Sequence, residues 1–331
     1  MTFTLSRRAL LAVSAAAGLA MTAGAALAQG ITLRLSTVAT ETDQRTVALA
    51  EVFGPAVAGF ASYEPHYNGT LFKQATEIEA IARGNLEMAI ISAQELATFF
   101  PEFSVFTAGY LHRDAAHQVA VFNDPLMDPF KAKAEAELNI KLLTVMYLGR
   151  RQLNLRTEGE IKTPADMAGI KLRMPGTDAW QFLGSALGAN PVPMAFGEVY
   201  TGLQTGAIDG QDNPLPTVRD SKFYEVTKQI VLTSHLVDLN YLALSKKVWD
   251  AMTPEQQATT QAAADAAAAA GRTKQLGLED ELVAFFKEQG LKVYEPDVDA
   301  FRTKVQADYL ASEYAKAWPA GIVDAINAAG K

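Results

Sequence analysis

From Pro254 to about Glu288 the chain offers little but helix formers, with Ala262–Ala270 at the centre and only Gly271 and Gly277 as interruptions. Thr253-Pro254-Glu255 opens the stretch with a capping threonine, a proline at the first turn and an early acid. At 1.5 Å per residue a helix of that length spans roughly 50 Å. That exceeds the width of one lobe, so the segment either bridges two bodies or bends at its glycines into a kinked pair. Chain length favours two bodies, because 331 residues exceed what a single hydrophobic core comfortably fills.

Upstream, short strands alternate with helices. Ile31, Leu33 and Leu35 alternate with Thr32 and Arg34 as a first strand. Glu77–Arg83 reads as a helix stopped by Gly84, and Met88–Ile91 as a buried strand. Lys131–Asn139 (helix) and Leu142–Tyr147 (strand) repeat the pattern. Thr163 caps a short helix with Pro164 at its first position and Gly169 at its end, and Ile170–Arg173 follows as a strand. Trp180, Leu183 and Leu187 mark one helical face; Gly197–Thr205 is a further helix ended by Gly206, and Ile208-Asp209 begins another strand. Such alternation implies an α/β protein with mainly parallel sheet and helices on both faces.

The N-terminus reads as an export signal. Arg7 and Arg8 precede an uncharged run, Ala9–Ala28, which closes on Ala26-Leu27-Ala28 before Gln29, a small-residue cleavage site. The other reading is a membrane anchor, since the run is long enough to span a bilayer. Ser6-Arg7-Arg8-Ala9-Leu10-Leu11 also looks like a twin-arginine signal, which would mean export after folding. Removal of residues 1–28 would shift the formal charge from −8 to about −10. That balance argues against nucleic acid, which needs clustered positive charge. The chain has no cysteine, and its length suffices for a fold without disulfides. No second long apolar run follows, so a soluble mature protein, expected as a monomer, is implied.

Catalytic constellations are lacking. Gly184-Ser185-Ala186-Leu187-Gly188 has its serine one place early for a nucleophile elbow and sits in a helical pattern. His112 and His117 are five apart, off a common helix face, and neither His66 nor His235 is in a metal-binding spacing. No cofactor and no metal are expected.

Arginine supplies the more pointed signal. Arg173 ends an apolar strand in Ile170-Lys171-Leu172-Arg173-Met174-Pro175, where Pro175 terminates the strand. Ligands of open α/β sheets bind beyond the carboxyl ends of strands, and a guanidinium there offers a carboxylate a planar fork of donors. An ordinary internal salt bridge is the competing reading. The Pro- and Gly-dense block from Asn190 to Pro214 implies a firmly held loop–helix–loop. Within it Gln211 and Asn213 are neutral hydrogen-bonding groups, and Phe196 is either a ligand-facing ring or core.

These residues resemble the tripartite ATP-independent periplasmic (TRAP) transporter substrate-binding proteins, the family of the C4-dicarboxylate and sialic acid receptors. The resemblance is specific over roughly residues 149–260. It is carried by Gly149-Arg150-Arg151, by Ala165 to Pro175, by the Pro191–Pro214 block and by Asp220-Ser221-Lys222-Phe223-Tyr224-Glu225-Val226. The N-terminal third matches in pattern only.

The resemblance implies a two-lobed periplasmic binding protein fold with crossing hinge strands and a long bridging helix. The first lobe is expected to comprise 29–148 plus 239–278, and the second 149–238 plus 279–331. It implies Arg173 as the anchor for a ligand carboxylate, Arg151 as a second arginine (with Arg150 as a register alternative), Phe196 as an aromatic wall and Asn213 as a ligand-facing amide. Phe72-Lys73-Gln74 replaces an acidic turn of the sialic acid receptors, and Ser92 replaces a glutamate. Those changes disfavour sialic acid, and Lys73 would favour a dicarboxylate or sugar acid. The function implied is a periplasmic receptor that closes on a small organic acid and delivers it to TRAP membrane permease subunits. A sensory receptor of the same fold and a secreted hydrolase or lyase are the alternatives; neighbouring permease genes would favour transport, a sensor kinase alone would favour signalling, and turnover of bound ligand would favour the enzyme.

Overall fold

The structure, a computed structural model, describes residues 30–331. The segment 1–28, expected from the sequence to be an export signal, lies outside them. Among the described residues nine strands form one mixed sheet: β1 Ile31–Ser36, β2 Ala61–His66, β3 Met88–Ser92, β4 Ile140–Leu155, β5 Lys171–Met174, β6 Asn190–Pro193, β7 Gly210–Pro214, β8 Gln229–Ser245 and β9 Lys292–Tyr294. Their order is β2-β1-β3-β8-β4-β7-β5-β6, with β9 on β8. The expected parallel character holds for β1–β2, β1–β3, β5–β6, β5–β7 and β8–β9. The three pairings made by the long strands β4 and β8 with each other, with β3 and with β7 are antiparallel.

Those two strands cross from one lobe to the other. The first half of β4 pairs the last part of β8 beside β3, and its second half pairs the first part of β8 beside β7. Register shifts interrupt the ladder at Leu142/Thr144, Tyr147/Gly149 and Arg151/Leu153. The sequence pattern ended the strand near Tyr147 because Gly149 and two arginines break the apolar run; the ladder nevertheless continues through Gly149, at φ 131°, as a bulge. A Cβ there would lie 2.5 Å from the Glu279 carboxylate and 2.6 Å from Pro214 Cβ, so the position requires glycine.

Among the described residues four large apolar cores cover the two faces of the sheet in the two lobes, beside a small cluster of Ala115, Tyr147 and Val237. Leu33, Phe53, Met88 and Leu242 belong to one, and Phe103, Phe130, Ile140 and Tyr241 to the opposite side of the same lobe. Leu172, Leu183 and Phe301 fill one face of the second lobe, and Leu203, Phe223 and Phe286 the other. The last helix, Ile322–Ala328, differs from expectation. Ile322 and Ile326 pack among Val121, Phe122 and Phe130, and Arg113 donates to the carbonyls of Asn327 and Ala329. The tail therefore returns to the first lobe instead of staying with the second.

Eight helices matter below: α1 Gln44–Ala48, α2 Glu77–Ala82, α3 Ala93–Leu96, α4 Asp178–Ala186, α5 Val199–Thr205, α6 Leu215–Asp220, α7 Pro254–Glu288 and α8 Val298–Ala311. The helix-rich stretch forms α7 as one assigned helix of 35 residues, opened by a capping box between Thr253 and Gln256. In the middle of β4 the edge away from β8 has no strand partner, because β7 begins to pair only at Arg151. Helix α7 satisfies backbone groups there: Gln261 Nε2 donates to Leu143 O at 2.8 Å, Gln275 Nε2 donates to Leu148 O, and the Arg150 N–H donates to Glu279 at 2.6 Å. The helix is thereby fastened along the crossing strand.

Its two glycines differ in kind. A Cβ at Gly271 would meet Gln44 O at 3.1 Å and Ala48 Cβ at 3.4 Å, so this glycine lets α7 lie close against α1. Gly277 is exposed and a Cβ there meets nothing within 4 Å. Gly277→Ala is expected to stabilise the protein by about 0.5–1 kcal/mol through helix propensity. Gly271→Leu is expected to cost about 1–3 kcal/mol by overpacking. Urea unfolding of both variants checks the contrast, and equal responses would contradict it.

Candidate functional site

Between the lobes lies a cavity with about 670 Å³ of empty space, its mouth included. Its lining includes three arginines, Arg45, Arg151 and Arg173, and four acids, Asp43, Glu95, Asp220 and Asp238. What each arginine already holds decides what the cavity can do.

Arg173 is delivered by β5 and is 1 % exposed. Hydrophobic neighbours on the strand, Leu172 and Met174, are fully buried and fix its register. Its Nε donates to Met194 O at 2.9 Å and its Nη2 to Gln74 Oε1 at 3.0 Å. The ring of Phe196 lies 5.7 Å from the guanidinium carbon. A guanidinium has five N–H groups; with two used, three are left without a partner among the described residues. No carboxylate of those residues pairs with it. Burial, and next the nearby Arg151 charge, pull its pKa down to about 9, which is the signature of a cation in want of an anion.

Arg151 lies on β4 and is in the opposite condition. Its Nε donates to Asp212 at 2.7 Å, its Nη2 to the other Asp212 oxygen at 2.9 Å and also to Asp212 O, and its Nη1 to Asp238 at 2.9 Å. Trp180 of α4 stacks 4.5 Å beneath it. Burial alone would lower the Arg151 pKa, but the charges and hydrogen bonds of Asp212 and Asp238 outweigh it and the net shift is upward. Burial would raise Asp212, yet Arg151 and His235 hold it well below the carboxylate range, His235 Nε2 lying 2.9 Å from it. Of the five N–H groups of Arg151, one is left over. The expected second ligand arginine thus lines the cavity chiefly as the hub of a buried ion network.

Arg45 of α1 is also committed. Its Nε and Nη2 donate to Asp43 at 2.9 and 2.8 Å, and its Nη1 donates to Asn240. Arg150, the register alternative to Arg151, points elsewhere: its Nη2 donates to Arg113 O in an exposed contact.

The remaining expected residues divide. Phe196 and Asn213 line the cavity, Phe196 ahead of α5 and Asn213 on β7. Ser92 lines it too, but its hydroxyl accepts from Glu95 N at 3.1 Å as the cap of α3, and Glu95 in return accepts from Ser92 N at 2.8 Å. Gln211 is fully buried and absent from the lining; its side-chain oxygen accepts from Asn213, and its amide donates to Asn154 at 3.2 Å. It orients Asn213 from behind. Lys73 is exposed and absent from the lining. The next residue, Gln74, enters instead and bonds both Arg173 and the Phe196 N–H, the latter at 3.2 Å. Phe72-Lys73-Gln74 and Ser92 supply no acid to the lining, whereas Asp43 and Glu95 do so from other positions of the first lobe.

Burial, and next the charge of Glu95, push Glu77 of α2 up to about 9, and burial raises Glu95 as well. Sequence reasoning missed these residues, and Asp43, Arg45, Gln74, Asp220 and Asn240 with them. The spacing Ser92-Ala93-Gln94-Glu95 fits a capping box, which marks a helix start and not a site.

Two α/β lobes joined by crossing strands, closed over a polar cavity with one uncompensated cation among its described residues, define a solute-binding receptor. Residues 38–316 match the family model of the bacterial extracellular solute-binding proteins, family 7 (DctP), and the chain belongs to that family, as a TRAP transporter substrate-binding protein. The 2,3-diketo-L-gulonate-binding periplasmic protein YiaO of Escherichia coli (strain K12) is 31% identical over 229 residues, 68% of each chain. A TRAP periplasmic solute-binding protein of Roseobacter denitrificans, solved with bound 3-deoxy-D-manno-oct-2-ulosonic acid, is 68% identical, with a TM-score of 0.90 over 91% of this chain and 99% of its own. A second from Roseobacter denitrificans, with bound L-galactonate, is 28% identical, with a TM-score of 0.83 over 91% of this chain and 100% of its own. Among the described residues no helix is long and apolar enough to cross a membrane.

Removing either arginine should have a different consequence. Arg173→Ala is expected to weaken binding of a carboxylate ligand by roughly 2–5 kcal/mol with little change in unfolding midpoint. Arg151→Met should lower stability by about 3–5 kcal/mol because it strands Asp212 and Asp238. Titration calorimetry paired with urea unfolding separates the two. A pH dependence follows from Glu77. It keeps its proton to about pH 9 when folded but loses it near its ordinary 4.5 when unfolded. Between those values the folded state binds the extra proton, so its contribution is full below about 4.5 and is lost as pH rises through about 9. Glu77→Gln should flatten stability across that window in urea titrations; an unchanged slope would contradict the assignment.

Proposed function

We propose that this chain captures a sugar acid bearing a single carboxylate, of the 3-deoxy-ulosonic type, and releases it to TRAP membrane permease subunits. The observation that carries the reading is Arg173, buried in the interlobe cavity with three guanidinium N–H groups unclaimed. Arg45 and Arg151 are each neutralised by acids already present. One carboxylate therefore balances the site, whereas a second would add negative charge beside Asp43, Asp220 and Asp238. With Lys73 outside the lining, the argument for a dicarboxylate weakens. The 68% identical relative holds an eight-carbon acid with one carboxylate and several hydroxyls, which supports the same choice.

In the mechanism we infer, the ligand carboxylate enters against Arg173 and Asn213 while Phe196 covers it. Closure removes water, and the lower dielectric strengthens the charge-assisted bond. Gln74 comes from the first lobe and Arg173 from the second, so their hydrogen bond gives the carboxylate pole a contact that only the closed form makes. We place the lobe boundaries at 148/149 and 238/239, where Gly149 and Asp238 pair across the crossing strands beside a register shift. The site residues act by binding alone, without catalysis, and the mature receptor is a periplasmic monomer freed of residues 1–28.

Thermal-shift measurements on the mature protein test the ligand class. A 3-deoxy-ulosonate at a hundredfold excess over its Kd should stabilise the protein by about 2.7 kcal/mol, with C4-dicarboxylates giving no shift. A larger shift with malate or succinate than with any sugar acid would overturn the reading.

A further inference from the structure

The charged groups of the cavity fall into two sets by their partners. Arg173 is held by Met194 O and Gln74, whereas Asp220 pairs with Arg219 and Arg45 with Asp43 and Asn240. The second set has an inventory of its own. Helix α6 of the second lobe carries Thr217 and Asp220, three residues apart and so on one face. Thr217 is 8 % exposed, lines the cavity, and its hydroxyl has no hydrogen-bond partner among the described residues. Such an orphan inside a well-satisfied interior calls for a partner from outside the chain. Asp220 spends one carboxylate oxygen on Arg219, Nε at 2.9 Å and Nη2 at 2.8 Å, and the other takes no donor among the described residues. From the first lobe, Asn240 accepts from Arg45 through its oxygen, while its amide N–H groups meet no protein acceptor among those residues. Asp43 holds Arg45 in place through both carboxylate oxygens.

An unused carboxylate oxygen, an unpartnered hydroxyl and a free amide match a run of hydroxyl groups, each of which both donates and accepts. They do not match a second carboxylate, which would meet Asp220 and Asp43 in a poorly solvated space. We propose that Asp220 and Thr217, together with Asn240 and the Asp43-held Arg45, form a subsite that reads the hydroxylated tail of the ligand. This subsite sets specificity for long polyhydroxy acids over short or doubly charged ones. It rests on the sugar-acid reading and adds to it residues from both lobes, so that a long tail itself draws the lobes together.

The test is a cycle of two variants and two ligands by titration calorimetry. The ligands are 3-deoxy-D-manno-oct-2-ulosonate and 2-keto-3-deoxygluconate, which lacks the last two carbons with their hydroxyls. Thr217→Val and Asp220→Asn should each weaken the eight-carbon acid by about tenfold or more, and the six-carbon acid by less than about threefold. Equal losses for both acids would make the two residues supports of closure or fold and overturn the subsite, as would no loss for either. Wild-type protein that binds neither acid would instead overturn the sugar-acid reading beneath it. Wild-type binding that needs Arg173 but ignores Thr217 and Asp220 would overturn the subsite alone.

Discussion

A buried guanidinium without a counter-ion among the described residues is the constraint around which the cavity is organised. Removing an ion from water costs several kcal/mol even after relaxation, and Arg173 recovers little of that from Met194 O and the neutral amide of Gln74. Its pKa, pulled down to about 9, records the deficit. Arg151 shows what a fully compensated arginine looks like in the same cavity: two aspartates, a backbone carbonyl and the Trp180 face. One arginine is a finished structural element and the other has its anion still to come. The difference converts a pair of similar side chains into a hub and a receptor group.

The fold holds that uncompensated charge in place by rigid means at either end and a compliant joint between. β5 is only Lys171–Met174, but it is pinned between β6 and β7, with Pro175 next in the chain. β4 and β8 carry the chain across the gap with register shifts at the crossing. Helix α7 runs beside β4 and ties itself to backbone groups at Leu143, Leu148 and Arg150. Gly149 allows the Glu279 carboxylate to reach that strand at all.

Much of this is legible in the sequence. Gly84, Gly169 and Gly206 sit at positive φ as the helix-stop reading of glycine anticipates, and the long helix follows from composition and its Thr-Pro-Glu start. Arg173 was visible because a strand-ending arginine before proline is a local pattern. The rest of the site escaped for a physical reason. Asp43, Asp220 and Asn240 lie on three separate segments and meet only when the lobes face one another. Lys73 was favoured over Gln74 because charge is conspicuous in a sequence, whereas a loop one residue out of phase places the neutral amide inward and the ammonium in water. The full extent of β4 escaped because a bulge at Gly149 mimics a strand end.

A crystal structure of the mature protein soaked or grown with 3-deoxy-D-manno-oct-2-ulosonate is the most direct measurement. The carboxylate should take hydrogen bonds from the free edge of Arg173, with Arg151 still held by Asp212 and Asp238. A ligand whose carboxylate lies away from Arg173, with that guanidinium paired to a protein acid, would contradict the central assignment.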